Sequence, residues 1–424
     1  MRSEAAINAT LVVVGDLGRS PRMLYHARSL ALHGVDVDLV GDDGSALPRE
    51  IIEHPRIRVH RMKRRRTNVF ARFAVAVSAA RMMLQAVRLF ALLFFRVRKP
   101  DLLMLQNPPG VPALALMVLC ARLRSARLIV DWHNFGYTVL ALKLPAASVP
   151  VRLTRWYEQS FGRHADAHLC VSEAMREELE ERWHVPNVAV VYDRPAQRFA
   201  PARPDERPLL YRAVTALLGE NLNGHRGERP TALLVSATSW TPDEDFGLLL
   251  DALATVNGKI RDCERFPSLS VVISGDGPLR TYYEKRIAEL PPGRISVRTV
   301  WLSAEDYPLL LRAADLGLCL HRSSSGLDLP MKLADMLGSG LPVLAVDYGP
   351  CLREQLRDGE NGFVFSTAAE LAEKIFDLFK DFPASAPALD RVRQNIAAAA
   401  VPRWDDEWEA RAWPAIARCL NENR

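Results

Sequence analysis

The sequence between residues 316 and 346 constrains the fold most, because an apolar run, a polar loop, a helical pattern and a second apolar run follow one another there. Residues 316–320 have the length and apolar character of a buried strand. Pro330 can begin a helix, since the N–H that it lacks would have no partner in the first turn, and Gly340-Leu341-Pro342 ends that helix. The stretch therefore predicts a βαβ unit whose loop is large enough to hold a ligand.

Two charged residues in this unit indicate the kind of ligand. Lys332 and Asp335 are three residues apart, which places them on one face of the first helical turn. Helix amides and an ammonium group attract a phosphate, and a carboxylate accepts hydrogen bonds from a sugar diol. The alternative is a solvent-exposed ion pair. The loop SSSG at 323–326 favours the site, because it is too small and polar to belong to a core.

The motif SSSGLDLPMKLADMLGSGLPV resembles the nucleotide-sugar site of GT-B glycosyltransferases, and more narrowly that of the chitobiosyldiphosphodolichol beta-mannosyltransferase family. In GT-B enzymes an acidic residue on this helix holds the nucleotide ribose, which the resemblance assigns to Asp335. The general pattern has two glutamates, whereas this chain has Asp335 at the second place and Asp328 near the first. The donor contacts that the resemblance implies here are Ser324, Ser325, Gly326, Asp328, Lys332 and Asp335.

The first half of the chain opens with a β-branched run at 10–14, a glycine-containing loop and a helical pattern, as doubly wound domains do. The loop GDLGRSPR lacks the third glycine of a dinucleotide fingerprint, so it is weak evidence for NAD even with Asp38 about twenty residues on. Arg19 and Arg22 favour a diphosphate clamp, and the alternative is that both are surface charges. GDLGRSPRMLYHARSLALHG resembles the same family, which implies acceptor contacts by Gly18, Arg19 and Arg22.

A second polar motif, DWHNFGYTVLAL, begins at the end of the strand predicted at 128–131. Open α/β sheets bind their ligands at the carboxyl ends of their strands. His133 is the natural proton acceptor near neutral pH, and the alternative is a hydrogen-bonded structural histidine. This motif also resembles the family. The resemblance implies that His133 is the catalytic base, with Asp16 as the alternative base, and that Trp132 contacts the acceptor.

The length and strand pattern of the 424-residue chain predict two domains. We predict an N-terminal Rossmann-like domain at 1–200 and a linker at 201–230, where Pro, Gly, Asn and Arg accumulate. A C-terminal Rossmann-like domain follows at 231–398, and a terminal helix at 399–424 is expected to return to the first domain. The expected fold class is α/β, with the GT-B arrangement of two doubly wound domains facing across a cleft.

Two further loops of the second half resemble the family, and they add Ser239, Gly275 and Gly277 to the implied donor site. Asp243 and Asp245 form a DxD motif, which elsewhere can hold a divalent ion on a diphosphate. Both precede an apolar helix, so we expect them to cap it, and we expect no metal. The six cysteines lack zinc-like spacing, which favours a reduced, cytosolic protein.

The most apolar segment of the chain follows the basic sequence RMKRRR at 61–66. Arg81, Gln85 and Arg88 interrupt it, so no uncharged run approaches the ~20 residues that cross a bilayer. Its pattern favours a helix on an anionic membrane surface, and the alternative is a packed domain helix with arginines extending to water. We expect no N-terminal membrane anchor of the kind that is usual in the family. We therefore expect this segment to hold the protein on the cytoplasmic face of a membrane.

The resemblance implies an inverting glycosyltransferase that moves mannose from GDP-mannose to a lipid-diphosphate-linked acceptor ending in GlcNAc, with a β1,4 bond. A single displacement needs a base, assigned to His133, and stabilisation of the departing diphosphate, assigned to Lys332. The expected partners are the nucleotide sugar, the lipid-linked saccharide and a membrane; neither a cofactor nor nucleic acid is expected. The alternatives are a retaining GT-B enzyme with another donor and a nucleotide-binding module without transferase activity.

Overall fold

The computed structural model describes residues 7–62, 74–203, 205–219, 230–261 and 263–421. The chain forms two compact units, one comprising Met1–Tyr192 with Asp405–Arg424 and the other Asp193–Trp404. Each unit has a parallel sheet with helical crossovers, which confirms the predicted class of two doubly wound α/β domains. The first unit ends at Tyr192 rather than at residue 200, because the strand Val188–Val190 is the last of its sheet.

The first unit contains a seven-stranded parallel sheet with the order β3-β2-β1-β4-β5-β6-β7. Its strands are β1 (Asn8–Asp16), β2 (Asp36–Asp42), β3 (Ile57–Met62), β4 (Leu102–Asn107), β5 (Arg127–Trp132), β6 (Ala167–Cys170) and β7 (Val188–Val190). Its helices up to β7 are α1 (Pro21–Leu32), α2 (Arg49–Ile52), α3 (Ala74–Phe95), α4 (Ala113–Arg124), α5 (Gly136–Ala141), α6 (Val149–Gly162) and α7 (Glu173–Glu177). The middle parts of the central strands, such as 11–14, 102–105 and 128–130, are apolar because helices cover both faces of the sheet.

The second unit contains a six-stranded parallel sheet with the order β10-β9-β8-β11-β12-β13. Its strands are β8 (Thr231–Thr238), β9 (Ser268–Gly275), β10 (Ile295–Val300), β11 (Leu316–Cys319), β12 (Val343–Val346) and β13 (Phe363–Phe365). Its helices are α8 (Arg207–Leu217), α9 (Phe246–Lys259), α10 (Arg280–Ala288), α11 (Asp306–Ala313), α12 (Met331–Gly338), α13 (Ala368–Phe379) and α14 (Pro387–Ala398). The predicted βαβ unit is β11-α12-β12, with β11 and β12 hydrogen-bonded in parallel.

The C-terminal segment contains α15 (Trp404–Glu407) and α16 (Trp413–Asn421). A π-helical turn, Trp408–Ala412, connects them. The buried Trp408 ring donates its Nε1–H to Nδ1 of His26 at 3.0 Å, which fastens this segment to α1. The tryptophans of this segment thus supply both apolar area and a directed hydrogen bond.

The predicted linker is partly a helix of the second unit. Arg207, at the start of α8, donates to the carboxylate of Asp315 at 2.8 Å, and Val214 on the same helix is buried. The Pro- and Gly-rich flanks dominate the composition of this stretch, but the apolar side chains between them have helical spacing. That spacing lets α8 pack on its own domain.

The helix α3 has two different faces. Leu89 and Leu93 are buried, whereas Met83, Val87 and Phe95 are exposed. None of the described helices combines the length and apolar character that crossing a bilayer requires. The basic residues 63–66 lie outside the described residues.

Candidate functional site

The two loops that carry the predicted donor residues lie side by side in the second unit. They follow β8 and β11, which are neighbours in the sheet although far apart in sequence. This is the point where the strand order reverses, and doubly wound sheets bind ligands there. A backbone bridge joins Glu244 to His321, and the Arg322 N–H donates to the Asp243 carbonyl at 2.8 Å. The fold therefore fixes the two loops against each other.

His321 stands between two carboxylates at the base of these loops. Its Nδ1 lies 3.0 Å from Oδ2 of Asp243, and its Nε2 lies 3.1 Å from Oδ2 of Asp328. Burial alone would lower the pKa of His321, but the two hydrogen bonds raise it to about 9. The ring is therefore an imidazolium at neutral pH. It ties the loop after β11 to the loop after β8.

Lys332 lies in the first turn of α12, as predicted, and its ammonium is paired with Glu244. Glu244 is buried, and its other oxygen accepts hydrogen bonds from the Thr238 hydroxyl at 2.6 Å and the Ser239 N–H at 2.8 Å. No described side chain caps the start of α12 after Pro330. An oriented ammonium and helix amides thus converge at one place, as an anion site requires.

Asp335 lies one turn from Pro330 on a partly exposed face of α12. The described residues give its carboxylate no hydrogen-bond partner. Burial raises the pKa of Asp335 to about 7; Arg198 lowers it and Asp193 raises it by smaller amounts. A desolvated carboxyl group with open acceptor positions is suited to the two hydroxyls of a ribose.

The SSSG loop is held by its own hydrogen bonds. Ser323 donates to Asp328, and the Ser325 hydroxyl lies 3.3 Å from the same carboxylate oxygen. Asp328 is buried, and His321 occupies its second oxygen, so the structure makes it a support of the loop rather than a free sugar contact. Ser324 and Gly326 stay partly exposed. Gly326 has φ +75°, which a residue with a side chain rarely adopts.

The remaining predicted donor residues lie where β8 and β9 end. Ser239 is exposed, and its backbone is held by Glu244. A Cβ on Gly275 would stand 1.8 Å from the Thr238 carbonyl oxygen, and one on Gly277 would stand 1.7 Å from the Ser239 carbonyl oxygen. Both glycines are therefore required for the close approach of the two loops.

The two aspartates of the DxD motif, Asp243 and Asp245, have different roles. Asp245 accepts from the Gly247 N–H at 2.9 Å and caps α9, as predicted. Asp243 does not cap the helix. Burial alone would raise the pKa of Asp243, but the hydrogen bond with His321 helps to lower it to about 2. Within the described residues, no group of three His, Cys, Asp or Glu side chains could hold a metal ion.

The first unit contains a second polar cluster, centred on the buried carboxylate of Asp131 at the end of β5. Nε2 of His133 lies 2.8 Å from Oδ2 of Asp131, and His26 approaches the same oxygen at 3.4 Å. Burial alone would raise the pKa of Asp131, but the charge of Arg22 and the contact with His133 hold it well below its usual range. The contact with Asp131 favours a proton on Nε2 of His133. Its Nδ1 has no hydrogen-bond partner among the described residues and is therefore the candidate proton acceptor.

Two predicted acceptor contacts are wrong. Arg22 is fully buried, with Nε and Nη2 each 2.9 Å from an oxygen of Asp131 and Nη1 2.8 Å from the Val191 carbonyl. Trp132 is also fully buried, and its Nε1–H donates to His168 at 3.1 Å. Neither side chain can reach an acceptor, because each is held in the core by its partners.

Asp16 is a capping residue rather than a base. Its carboxylate accepts from the Gly18 N–H and from the backbone and hydroxyl of Ser45, at 2.7 to 3.0 Å. Burial alone would raise the pKa of Asp16, but these bonds lower it, which weakens it as a proton acceptor. Gly18 fits tightly against Ser45, and Arg19 remains partly exposed beside Asp16.

The sequence did not single out Glu244, His321 or Glu158. Glu158, on α6, is buried and accepts from Asn107 at 3.1 Å and from the Gly136 N–H at 2.9 Å. Since the His133 N–H donates to the Asn107 carbonyl at 2.8 Å, Glu158 and Asn107 together hold the loop after β5. One feature could have indicated His321, which directly follows a predicted strand.

Comparisons with known proteins agree with this architecture. The family model described as "Glycosyl transferase 4-like domain" matches residues 18–194, and "Glycosyl transferases group 1" matches residues 229–381. The chain is 40% identical to the UDP-glycosyltransferase TURAN of Arabidopsis thaliana, over 98% of each chain. It is also 40% identical to the chitobiosyldiphosphodolichol beta-mannosyltransferase of Homo sapiens, over 98% of this chain and 94% of that protein. The structure of Anabaena HepE in complex with UDP-glucose shares the fold, with a TM-score of 0.63, 16% identity and 93% and 95% of the two chains covered.

Proposed function

The chain belongs to the chitobiosyldiphosphodolichol beta-mannosyltransferase family, and we propose that it transfers mannose from GDP-mannose to a lipid-diphosphate-linked chitobiose, forming a β1,4 bond. It is a glycosyltransferase, so the alternative of a binding module without transferase activity is excluded. The observation that carries the proposal is the convergence of Lys332, Asp335 and the start of α12 at the β8/β11 switch point.

On the donor side, Asp335 accepts hydrogen bonds from the ribose hydroxyls. Lys332 and the first amides of α12 contact the diphosphate, where negative charge grows as the glycosidic bond breaks. Glu244 fixes Lys332, and His321 fixes the SSSG loop through Asp328. Ser239, Ser324, Gly275 and Gly277 complete the walls of the donor site.

On the acceptor side, the reaction is a single displacement with inversion. The acceptor hydroxyl oxygen forms a bond to the anomeric carbon of mannose while the bond from that carbon to the diphosphate oxygen breaks. The hydroxyl proton moves to Nδ1 of His133, whose Nε2–H is oriented by Asp131. GDP leaves with the bonding electron pair, and its charge is stabilised by Lys332. Arg19, an exposed cation beside Asp16, is assigned to the acceptor diphosphate.

The identity of the donor nucleotide sugar needs a direct test, because a relative at 40% identity carries the name UDP-glycosyltransferase. Purified protein should be given GDP-mannose, UDP-glucose and UDP-GlcNAc in turn with a short lipid-diphosphate chitobiose. Transfer from GDP-mannose alone, with a β-anomeric product, is expected. Transfer from a UDP-sugar would overturn the proposed donor, and an α-anomer would overturn inversion in favour of a retaining enzyme.

The proposed place of the protein is the cytoplasmic face of a membrane, where a lipid-linked acceptor is available. The amphipathic helix α3 supports this, since it exposes Met83, Val87 and Phe95 beside the cation Arg88. The adjoining basic sequence at 61–66 adds attraction to anionic headgroups.

A further inference from the structure

The helices that follow the His133 loop expose an apolar surface. On α6, Val149, Leu153 and Trp156 are 65%, 57% and 61% exposed, and their spacing places them on one stripe. On α5 and in the following turn, Val139, Leu142 and Leu144 are also exposed. We call these six residues the α5–α6 surface. Scattered single exposed apolar residues are ordinary, whereas a cluster of this kind marks an interaction site.

The stripe on α6 is not a consequence of poor packing, because the opposite side of the same helix is buried. Val151, Glu158 and Gly162 face inward. A Cβ at Gly162 would stand 2.9 Å from the ring of Trp132, so the helix lies directly against the core. The outer side of such a helix is normally polar. Here it contains Val, Leu and Trp.

The exposed charges within the segment 136–163 all have one sign. Lys143, Arg152, Arg155 and Arg163 are exposed, and the only acidic residue between 136 and 163 is the buried Glu158. Cations on long flexible stems beside Trp and Leu are typical of segments that lie in the headgroup region of a bilayer. Trp is enriched at that depth, since its ring is apolar and its N–H is polar.

We infer that the α5–α6 surface docks on an anionic lipid bilayer. The apolar side chains enter the boundary of the acyl region, and the four cations contact lipid phosphates. The role of this contact in the reaction rests on the proposed function. The helix α5 begins at Gly136, three residues after His133, so docking brings the base to the depth at which a lipid-linked diphosphate sugar lies. This surface is separate in sequence from α3 and the basic residues at 61–66.

The binding experiment uses the full chain and vesicles of phosphatidylcholine with or without phosphatidylglycerol. The double variant Leu153→Ser, Trp156→Ser should bind the anionic vesicles about tenfold or more weakly than the wild type, because two large apolar side chains no longer insert. The matched control is Leu209→Ser, Trp301→Ser, which alters a Leu and a Trp of similar exposure in the second unit. Equal binding by both double variants would overturn the inference.

Two more readouts complete the test. If the surface instead joins two copies of the chain, the double variant will have a lower molar mass than the wild type in light scattering, and that result would also overturn the inference.

Transfer to a long-chain acceptor in vesicles should fall in the double variant, while transfer to a water-soluble acceptor should not. Loss of vesicle binding with unchanged transfer to both acceptors would support docking and overturn only its role in the reaction. Absence of transfer by the wild type would count against the proposed function and leave the binding result standing.

Discussion

Lys332 is oriented by a carboxylate before it meets a substrate, because the buried Glu244 is itself fixed by Thr238 and Ser239. An ammonium group held in this way stabilises new negative charge without first reorganising. We expect Lys332→Ala to lower kcat by about 10²–10³-fold, since the lost interaction is strongest in the transition state. Steady-state kinetics with GDP-mannose measures this, and Lys285→Ala, an exposed lysine on α10, is the control.

A loss of activity in Lys332→Ala could also come from the unpaired charge that remains on Glu244. The double variant Lys332→Met, Glu244→Gln removes both charges and keeps most of the volume. It should melt near the wild-type temperature and still lack activity. Wild-type kcat in the folded double variant would show that Lys332 does not stabilise the leaving group.

Asp335 makes donor binding dependent on pH, because its pKa is raised to about 7. The carboxylate is a stronger hydrogen-bond acceptor for the ribose hydroxyls than the protonated acid is, so donor affinity should rise as the pH increases from 6 to 8 (about one unit on each side of that pKa). Asp335→Asn should weaken binding at pH 8 and remove this dependence. Calorimetric titration with GDP at several pH values tests both statements, and a pH-independent wild type would contradict them.

The same carboxyl group affects stability with a definite sign. The folded state binds this proton more tightly than the unfolded chain does, so the free energy of unfolding falls as pH rises from the ordinary value of 3.8 through about 7. Above pH 7, Asp335→Asn should therefore raise the melting temperature although it weakens the binding of the donor. The opposite shift would mean that the carboxylate has a stabilising partner.

His133 and Arg22 show why the sequence identified some site residues and not others. Both are basic residues: His133 lies in the loop after β5, and Arg22 lies on α1, which follows β1. The sequence predicted an acceptor-side role for each of them. Burial of Arg22 depends on Asp131, which is distant in the sequence and meets it only because β1, β4 and β5 are assembled into one sheet. Local spacing predicts where a loop lies, whereas long-range pairing decides which of its charges remain exposed.

The helix α6 positions the loop that carries His133, through one buried carboxyl group. Glu158 accepts from Asn107 and from the N–H groups of Gly136 and Tyr137. Glu158→Gln replaces one acceptor oxygen by an NH₂ group that would face a donor, so we expect the free energy of unfolding to fall by about 1–3 kcal/mol. Urea denaturation measures this, with the exposed Glu177→Gln as control. An unchanged midpoint would show that the amide is accommodated.

Secondary structure was predictable where strands are buried on both faces. The apolar runs at 10–14, 128–131 and 316–320 lie at β1, β5 and β11 and mark those strands closely. The edge strands β3 and β13 were not predicted, because one is partly polar and the other has only three residues. The helix α8 was hidden by the Pro- and Gly-rich composition around it. These elements depend on their neighbours more than on their own sequence.

The whole molecule should work without a metal ion. In the second unit, Asp243 is bonded to His321 and Asp245 caps α9, so the DxD acids do not converge on one point. Lys332 and the amides of α12 supply the positive charge that a divalent ion supplies elsewhere. We expect full activity after dialysis against EDTA. Loss of activity that one divalent ion restores would contradict this prediction and make Asp243 and Asp245 the candidate ligands.

Membrane attachment of the whole chain should have two parts that differ in their response to salt. Each of Lys63, Arg64, Arg65 and Arg66 contributes roughly 1 kcal/mol near an anionic surface, and salt screens this contribution, whereas the apolar contacts of the α5–α6 surface are not screened. Changing these four residues to Ser should weaken co-sedimentation with anionic vesicles at low salt and have little effect at high salt. The control changes four exposed cations of the second unit to Ser: Arg265, Lys285, Arg353 and Lys380.

The Leu153→Ser, Trp156→Ser variant should show the complementary behaviour, with the larger loss at high salt, where insertion of apolar side chains is the remaining attraction. Combining the two sets of substitutions should weaken binding more than either set alone at every salt concentration, because both kinds of contact are then reduced. Activity on a water-soluble acceptor should be unchanged in the basic-segment variant, because none of these four residues is among the proposed donor, acceptor or catalytic residues. Identical salt profiles for the two variants would contradict a division into a charged and an apolar contact, and would leave a single attachment surface.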